Sequence, residues 1–256
     1  MNPTMAIFIV SYAKDFPWLK YLFKSIARHC SGFFEIVLAI PVNDLVKLGP
    51  QFEVLELKHN RRANLPSVGI AVFDEFMPDP HMDAMLARSY ADECCDADWI
   101  LNMDSDCVFI KPTTPDMFIH KGSAVNLFSP FKMVDGKPWP SHWGACTEKA
   151  LGEPVPWETM RRHPNVYWRN TYYEFRRHME NVHRKSLAEY LRPLKRGEFS
   201  EFCALGAFAT IYETHYHWID AESLERKQSE CVHQFWSFHG VNHPSVVAKL
   251  KEFDLL

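Results

Sequence analysis

The stretch DADWILNMDSDCVFIKP, Asp96 to Pro112, places two carboxylates, Asp104 and Asp106, one small residue apart at the end of an apolar run. Acids at i and i+2 in an otherwise buried element are costly unless a cation or hydrogen bonds compensate them. A hard divalent ion such as Mg2+ or Mn2+ would compensate, and it would also take phosphate oxygens. Acidic triplets of this kind also occur in ordinary turns. What raises this one is its context: apolar Trp99 to Met103 before it and apolar Cys107 to Ile110 after it, which reads as a strand delivering its acids to a ligand.

The elements around that triplet must carry it. Ala6 to Tyr12 (AIFIVSY) reads as a buried first strand, and Asp15-Phe16-Pro17 as a helix start. Trp18, Leu19, Leu22, Phe23, Ile26 and Ala27 recur at helical spacing until Gly32. Phe34 to Ile40 is expected as a second strand, Phe52 to Leu57 as a third, and the triplet strand as a fourth. Lys58 to Gly69 reads as a loop whose Arg61 and Arg62 meet either an anion or water, and His81 to Cys94 as a helix with Met82, Met85, Leu86 and Tyr90 on one face. Strands alternating with helices predict an α/β fold with a mostly parallel twisted sheet, and such sheets place ligands at the strands' carboxyl ends. Ser129 to Trp157, rich in Pro and Trp, reads as a loop bordering the site, with Trp139 and Trp143 as a water-excluding lid. The chain is expected to be one domain, with a first half over 1–128 and a second over 129–256.

At 256 residues the chain can bury a real core, and 47% hydrophobic content with a net charge of -4 excludes a disordered chain. No apolar run approaches the roughly 20 residues of a membrane span, and Ala6 to Val10 is too short for a signal-peptide core, so a cytoplasmic protein is expected. Seven scattered cysteines with no CxxC pair argue against a disulfide framework or zinc site; most read as small buried hydrophobes. The charge is uneven. Residues 159–199 hold ten Lys/Arg against four Asp/Glu, interleaved with Tyr167, Trp168, Tyr172, Tyr173, Phe175 and Tyr190. This basic, helical insertion would suit a polyanion by neutralising phosphates and stacking on bases. The reading favoured over that one is a solvated amphipathic helix whose buried stripe is Tyr172, Phe175, Met179, Val182, Ser186 and Tyr190.

The DSD strand, together with the opening IFIVSYAKDFPWLKYLFKSI, resembles the nucleotide-sugar-dependent glycosyltransferases of the GT-A fold. The likeness is best over roughly the N-terminal half and weaker in the tail. It implies a Rossmann-like GT-A sheet, with Ser11 and Tyr12 beside the base or ribose of a nucleotide, most often UDP. It implies Asp106 as the more direct metal ligand, with Asp104 holding sugar or ribose hydroxyls and sharing the metal contact. In some metal-dependent members a late histidine completes the coordination shell; His239, in WSFHG, matches best, with His233 and His243 as rivals. FSEFCALG, Phe199 to Gly206, is similar to a motif of a bacterial GT-A-like family, which would turn Glu201 toward the acceptor as a general base. Arg88, on the helix before the DSD strand, would reach the diphosphate or else form a surface ion pair.

The function so implied is metal-dependent transfer of a sugar from a nucleotide-diphosphate sugar, with Mn2+ or Mg2+, to a hydroxyl acceptor. The acceptor stays open between nucleic acid, such as a hydroxymethylated base of phage-type DNA, and a glycan or lipid-linked sugar. Two other classes compete. A nucleotidyltransferase would want a Gly-rich basic loop after the first strand, which Ser11-Tyr12-Ala13-Lys14 is not; a non-catalytic binding protein on the same scaffold would tolerate loss of the acids, which are intact.

Overall fold

The computed structural model describes residues 3–54, 68–130, 142–155, 157–161, 163–221, 223 and 230–256. Its centre is a five-stranded sheet. β1 (Met5–Val10) is buried along its whole length and leads through a short 3-10 turn into α1 (Phe16–His29). β2 (Glu35–Pro41) follows, then α2 (Leu45–Val54) and β3 (Val68–Phe73). α3 (Pro80–Arg88) and α4 (Ala91–Cys94) precede β4 (Trp99–Asp104), from which the chain turns into β5 (Cys107–Phe109).

The sheet order is β3-β2-β1-β4, parallel throughout, closed on the far side by the antiparallel β9 (Asn165–Trp168). The chain therefore builds outward from β1 to β3 and then crosses back to the other side of β1. That reversal opens a crevice at the carboxyl ends of β1 and β4, where open α/β sheets bind ligands. The register pairs Val10 with Asp104. The α/β class and mostly parallel sheet expected from the sequence are present.

Between β5 and β9 lie β6 (Ile119–His120), β7 (Ser123–Pro130), α5 (His142–Leu151) and β8 (Trp157–Glu158). β10 (Tyr216–Asp220) pairs with β7, and β11 (Val232–Gln234) runs antiparallel to β5. The remaining helices are α6 (Arg169–His183), α7 (Leu187–Leu191), α8 (Glu201–Tyr212) and α9 (Pro244–Glu252). α9 docks beside α1 through a small cluster of Trp18, Val108, Phe235, Val246, Leu250 and Leu255. Asn102, buried on β4, donates to the Asn165 carbonyl at 3.2 Å and the Tyr172 hydroxyl at 2.7 Å, which fixes β9 and α6 against the central strand.

Several sequence expectations are corrected. The third strand is Val68–Phe73, not Phe52 to Leu57, because α2 runs on to Val54. Val68 and Gly69, expected to close the loop, open that strand instead, and Arg61 and Arg62 lie outside the described residues. His81 to Cys94 breaks into α3 and α4 at Ser89 and Tyr90. Ser129 to Trp157 contains α5 as well as strand ends; Trp143 lies on that helix, packed against the core, and Trp139 lies outside the described residues. The basic helix ends at His183. Tyr172, Phe175 and Met179 form its buried stripe, while Val182 is exposed and Ser186 instead caps α7 in a reciprocal box with Glu189. Among the described residues no helix is long and apolar enough to cross a membrane. Five of the seven cysteines are buried, and all are free.

Candidate functional site

The crevice between β1 and β4 collects acids. β4 ends in Asp104, Ser105 and Asp106 form the turn, and β5 returns the chain to the core. β1 stops at Val10, short of the expected Tyr12, and just beyond its end are Ser11, whose buried hydroxyl has no partner among the described residues, and Tyr12. Asp15 stands beside Tyr12. Burial and then Asp15 push the Tyr12 phenol up to about 12, and burial likewise raises the Asp15 carboxyl. Asp15 occupies the cap position of α1 without bonding its first amides, so its side chain belongs to the crevice instead.

Asp104 is fully engaged by cationic side chains. Arg88, the last residue of α3, donates from Nη2 to Asp104 Oδ1 at 2.6 Å and from Nη1 to Glu201 Oε1 at 2.8 Å. His163 Nε2 lies 2.9 Å from Asp104 Oδ2. Glu201 opens α8 after the Ser200 cap, where the helix dipole favours an anion. Phe202 packs beneath both cations, 5.5 Å from the Arg88 guanidinium and 5.7 Å between ring centres from His163. Burial opposes the Asp104 charge, but Arg88 and His163 outweigh it and hold the carboxyl well below its usual range. The reverse holds at His163, where burial disfavours the charge and Asp104 more than restores it.

Asp106 is in the opposite state. Its Oδ2 accepts from the Ser237 amide at 2.6 Å, while Oδ1 has only the Gln234 amide at 3.5 Å and the Cys107 thiol at 3.9 Å among the described residues. Burial first, then the neighbouring Asp104, raises its carboxyl to about 6. The Ser237 amide reaches it because Trp236 adopts a left-handed backbone, φ +63°, a conformation costing about 1–3 kcal/mol outside glycine. This buried, under-compensated oxygen suits a hard cation; on Asp104 each oxygen already holds one cationic partner.

The other expected residues divide. Arg88 is buried and central, not a surface charge; its carboxylate partners are Asp104 and Glu201. His239 sits two residues beyond Ser237, stacked near Phe238 and His243, and the described residues contain no group of three His, Cys, Asp or Glu placed to hold a metal. His233 packs on Phe235 and Phe253, and His243 bonds Ser245 at the start of α9. A cavity of about 420 Å3 adjoins the turn, lined by His163, Gln234, Trp236, His239 and Lys249 among others. His163 is the residue that the sequence reading missed. Its one local signal is its place in the basic, Pro-bearing stretch between Thr159 and Asn165.

One cation of the basic insertion knits the fold, and others form surface pairs. Arg176 forks onto Asp92 at 2.5 and 2.9 Å and stacks 4.2 Å from the Tyr90 ring, binding α6 to α4. Arg169 reaches the Cys95 carbonyl, Arg177 pairs with Glu174 and Arg196 with Asp79. No protein-family model matches the chain, and no curated protein matches it.

Proposed function

We propose that the chain is a glycosyltransferase of GT-A type, moving a sugar from a nucleotide-diphosphate sugar, UDP-sugar favoured, to a hydroxyl acceptor. The observation that carries this reading is Asp106: a buried carboxylate with no cationic side chain bonded to it among the described residues, at the crevice where strand order reverses. That is where a metal-bound diphosphate would supply the missing positive charge. Ser11 and Tyr12, across the crevice, are the proposed neighbours of the nucleotide.

Mn2+ or Mg2+, held by Asp106 with His239 the best candidate for a second ligand, would supply Lewis-acid neutralisation of the leaving diphosphate. Asp104 orders Arg88 and His163 around the reacting region. Glu201 is proposed to take the acceptor's proton. In its resting arrangement it is hydrogen-bonded to Arg88, so this role asks that the guanidinium stay on Asp104 while the carboxylate turns to the hydroxyl. Arg176 is engaged within the protein, while Arg177 and Arg196 stay exposed; the acceptor proposed is a glycan or other hydroxyl compound, with the hydroxymethylated base of DNA as the alternative.

Incubation with a panel of nucleotide sugars and Mn2+, scoring released diphosphate with simple glycans and with hydroxymethylated DNA, tests the reading. Release that needs the cation and an acceptor is expected. Binding of nucleotide sugars without turnover of any would leave a non-catalytic binding protein, and retention of DNA that falls steeply with salt would restore the nucleic-acid acceptor.

A further inference from the structure

His163 uses one ring nitrogen on the protein and leaves the other without a partner. Its side chain is 9% exposed, it lines the cavity beside the acidic turn, and its Nδ1 is buried with no hydrogen-bond partner among the described residues. Asp104, kept ionised by Arg88, can only accept, so Nε2 carries the proton in the bond between them. Nδ1 is the nitrogen left over: it donates when the ring is charged, the state Asp104 favours, and accepts when the ring is neutral. A buried ring nitrogen left unpaired loses its hydration without compensation, and such an atom needs an explanation in a native fold.

A ligand in the cavity provides one. Each Asp104 oxygen already carries one bond, from Arg88 and from His163; on the imidazole it orients, one nitrogen carries none. We propose that His163 Nδ1 hydrogen-bonds a hydroxyl of the donor's sugar, which can donate or accept, so that sugar recognition beside the acidic turn passes through this imidazole. The inference rests on the glycosyltransferase reading. His163 touches substrate, and Asp104 is a positioning residue that holds the ring by Nε2. Gln is the conservative replacement, since its amide N–H can serve Asp104 while its carbonyl accepts the hydroxyl; Phe keeps the ring volume and offers neither.

The test is calorimetric titration, with Mn2+ present, of UDP, GDP and ADP and of their glucose conjugates into the native protein, His163→Phe and His163→Gln. For one base, the nucleotide should bind all three proteins within about twofold. The glucose conjugate should bind the native protein about tenfold tighter than its nucleotide, the gain of one buried hydrogen bond. His163→Phe should lose that gain and His163→Gln should recover part of it. A gain that survives in His163→Phe overturns the proposal, and so does its absence in the native protein. Failure of every nucleotide to bind any of the three sinks the glycosyltransferase reading itself. Should His163→Phe not fold, 15N spectra of the native histidines decide: the Nδ1 resonance of His163 should move with the glucose conjugate and not with the nucleotide, and an unmoved resonance overturns the proposal.

Discussion

Asp104 and Asp106 stand one residue apart on the same turn and carry opposite electrostatic states. Asp104 lies between the Arg88 guanidinium and the His163 imidazole, at 2.6 and 2.9 Å, and is held ionised. Asp106 has an amide on one oxygen, only distant contacts on the other, and a carboxyl raised to about 6. The same motif thus contains one acid satisfied by the fold and one left short of positive charge.

That contrast makes the stability of the metal-free protein depend on pH through Asp106. Its folded value, about 6, exceeds the ordinary 3.8, so the native state binds the proton more tightly than the unfolded chain. The resulting stabilisation is complete below the ordinary value and disappears as pH rises through the folded one. Asp106→Asn should therefore be more stable than the native protein at pH 8, by on the order of 2 kcal/mol, with the difference shrinking toward pH 4. Urea melts at the two pH values measure this. Turnover in the same variant should fall by orders of magnitude; wild-type activity would remove the cation role.

Arg88 compensates the buried Glu201 and the half-buried Asp104, and its loss strands Glu201 while leaving Asp104 with His163 alone. Arg88→Met is expected to cost about 3–5 kcal/mol, the range for breaking a buried ion pair from one side. Adding Glu201→Gln to that variant should return part of the loss, because the stranded charge is gone. A denaturant cycle over the four proteins gives the coupling.

Glu201→Gln alone separates catalysis from architecture. The amide can no longer accept a proton, yet its carbonyl can still receive the Arg88 bond. Nucleotide-sugar affinity should hold within about threefold while transfer slows at least about a hundredfold, the scale of a lost general base. Equal loss of both would make Glu201 a structural partner of Arg88.

Gly206, in the middle of α8, lies against the segment that leads to His163. A Cβ there would overlap the Thr159 side chain and come within 2.9 Å of the Tyr167 hydroxyl. Gly206→Ala should destabilise by about 1–3 kcal/mol through overpacking, despite alanine's better helix propensity. Thr159→Gly in the same chain should relieve much of it. Thermal melts of the single and double variants check both statements.

Legibility followed burial. β1, β2 and β4 are runs with apolar side chains on both faces, as parallel strands covered by helices require, so composition alone marks them. FEVLEL has the alternation of a half-buried strand, but its first residues complete α2; the true third strand is an edge strand containing Gly69, with Ile70 and Val72 exposed, a weaker pattern. In Ser129 to Trp157 the Pro and Trp content masked the helix-forming stretch HWGACTEKAL. The excess positive charge of residues 159–199 was visible, but not its partners: the carboxylates that hold Arg176 lie more than eighty residues away.

By itself the sequence determined the α/β class, the strand that ends in two acids, and the first strand that flanks it, because each is written in local runs of side chains. It could not decide which of the acids is free. That depends on Arg88, His163 and Glu201, drawn from a helix end, a loop and a helix start as many as 113 residues apart. Charge compensation in a buried site is a matter of a few ångströms, and only the tertiary structure brings such distant groups to that range.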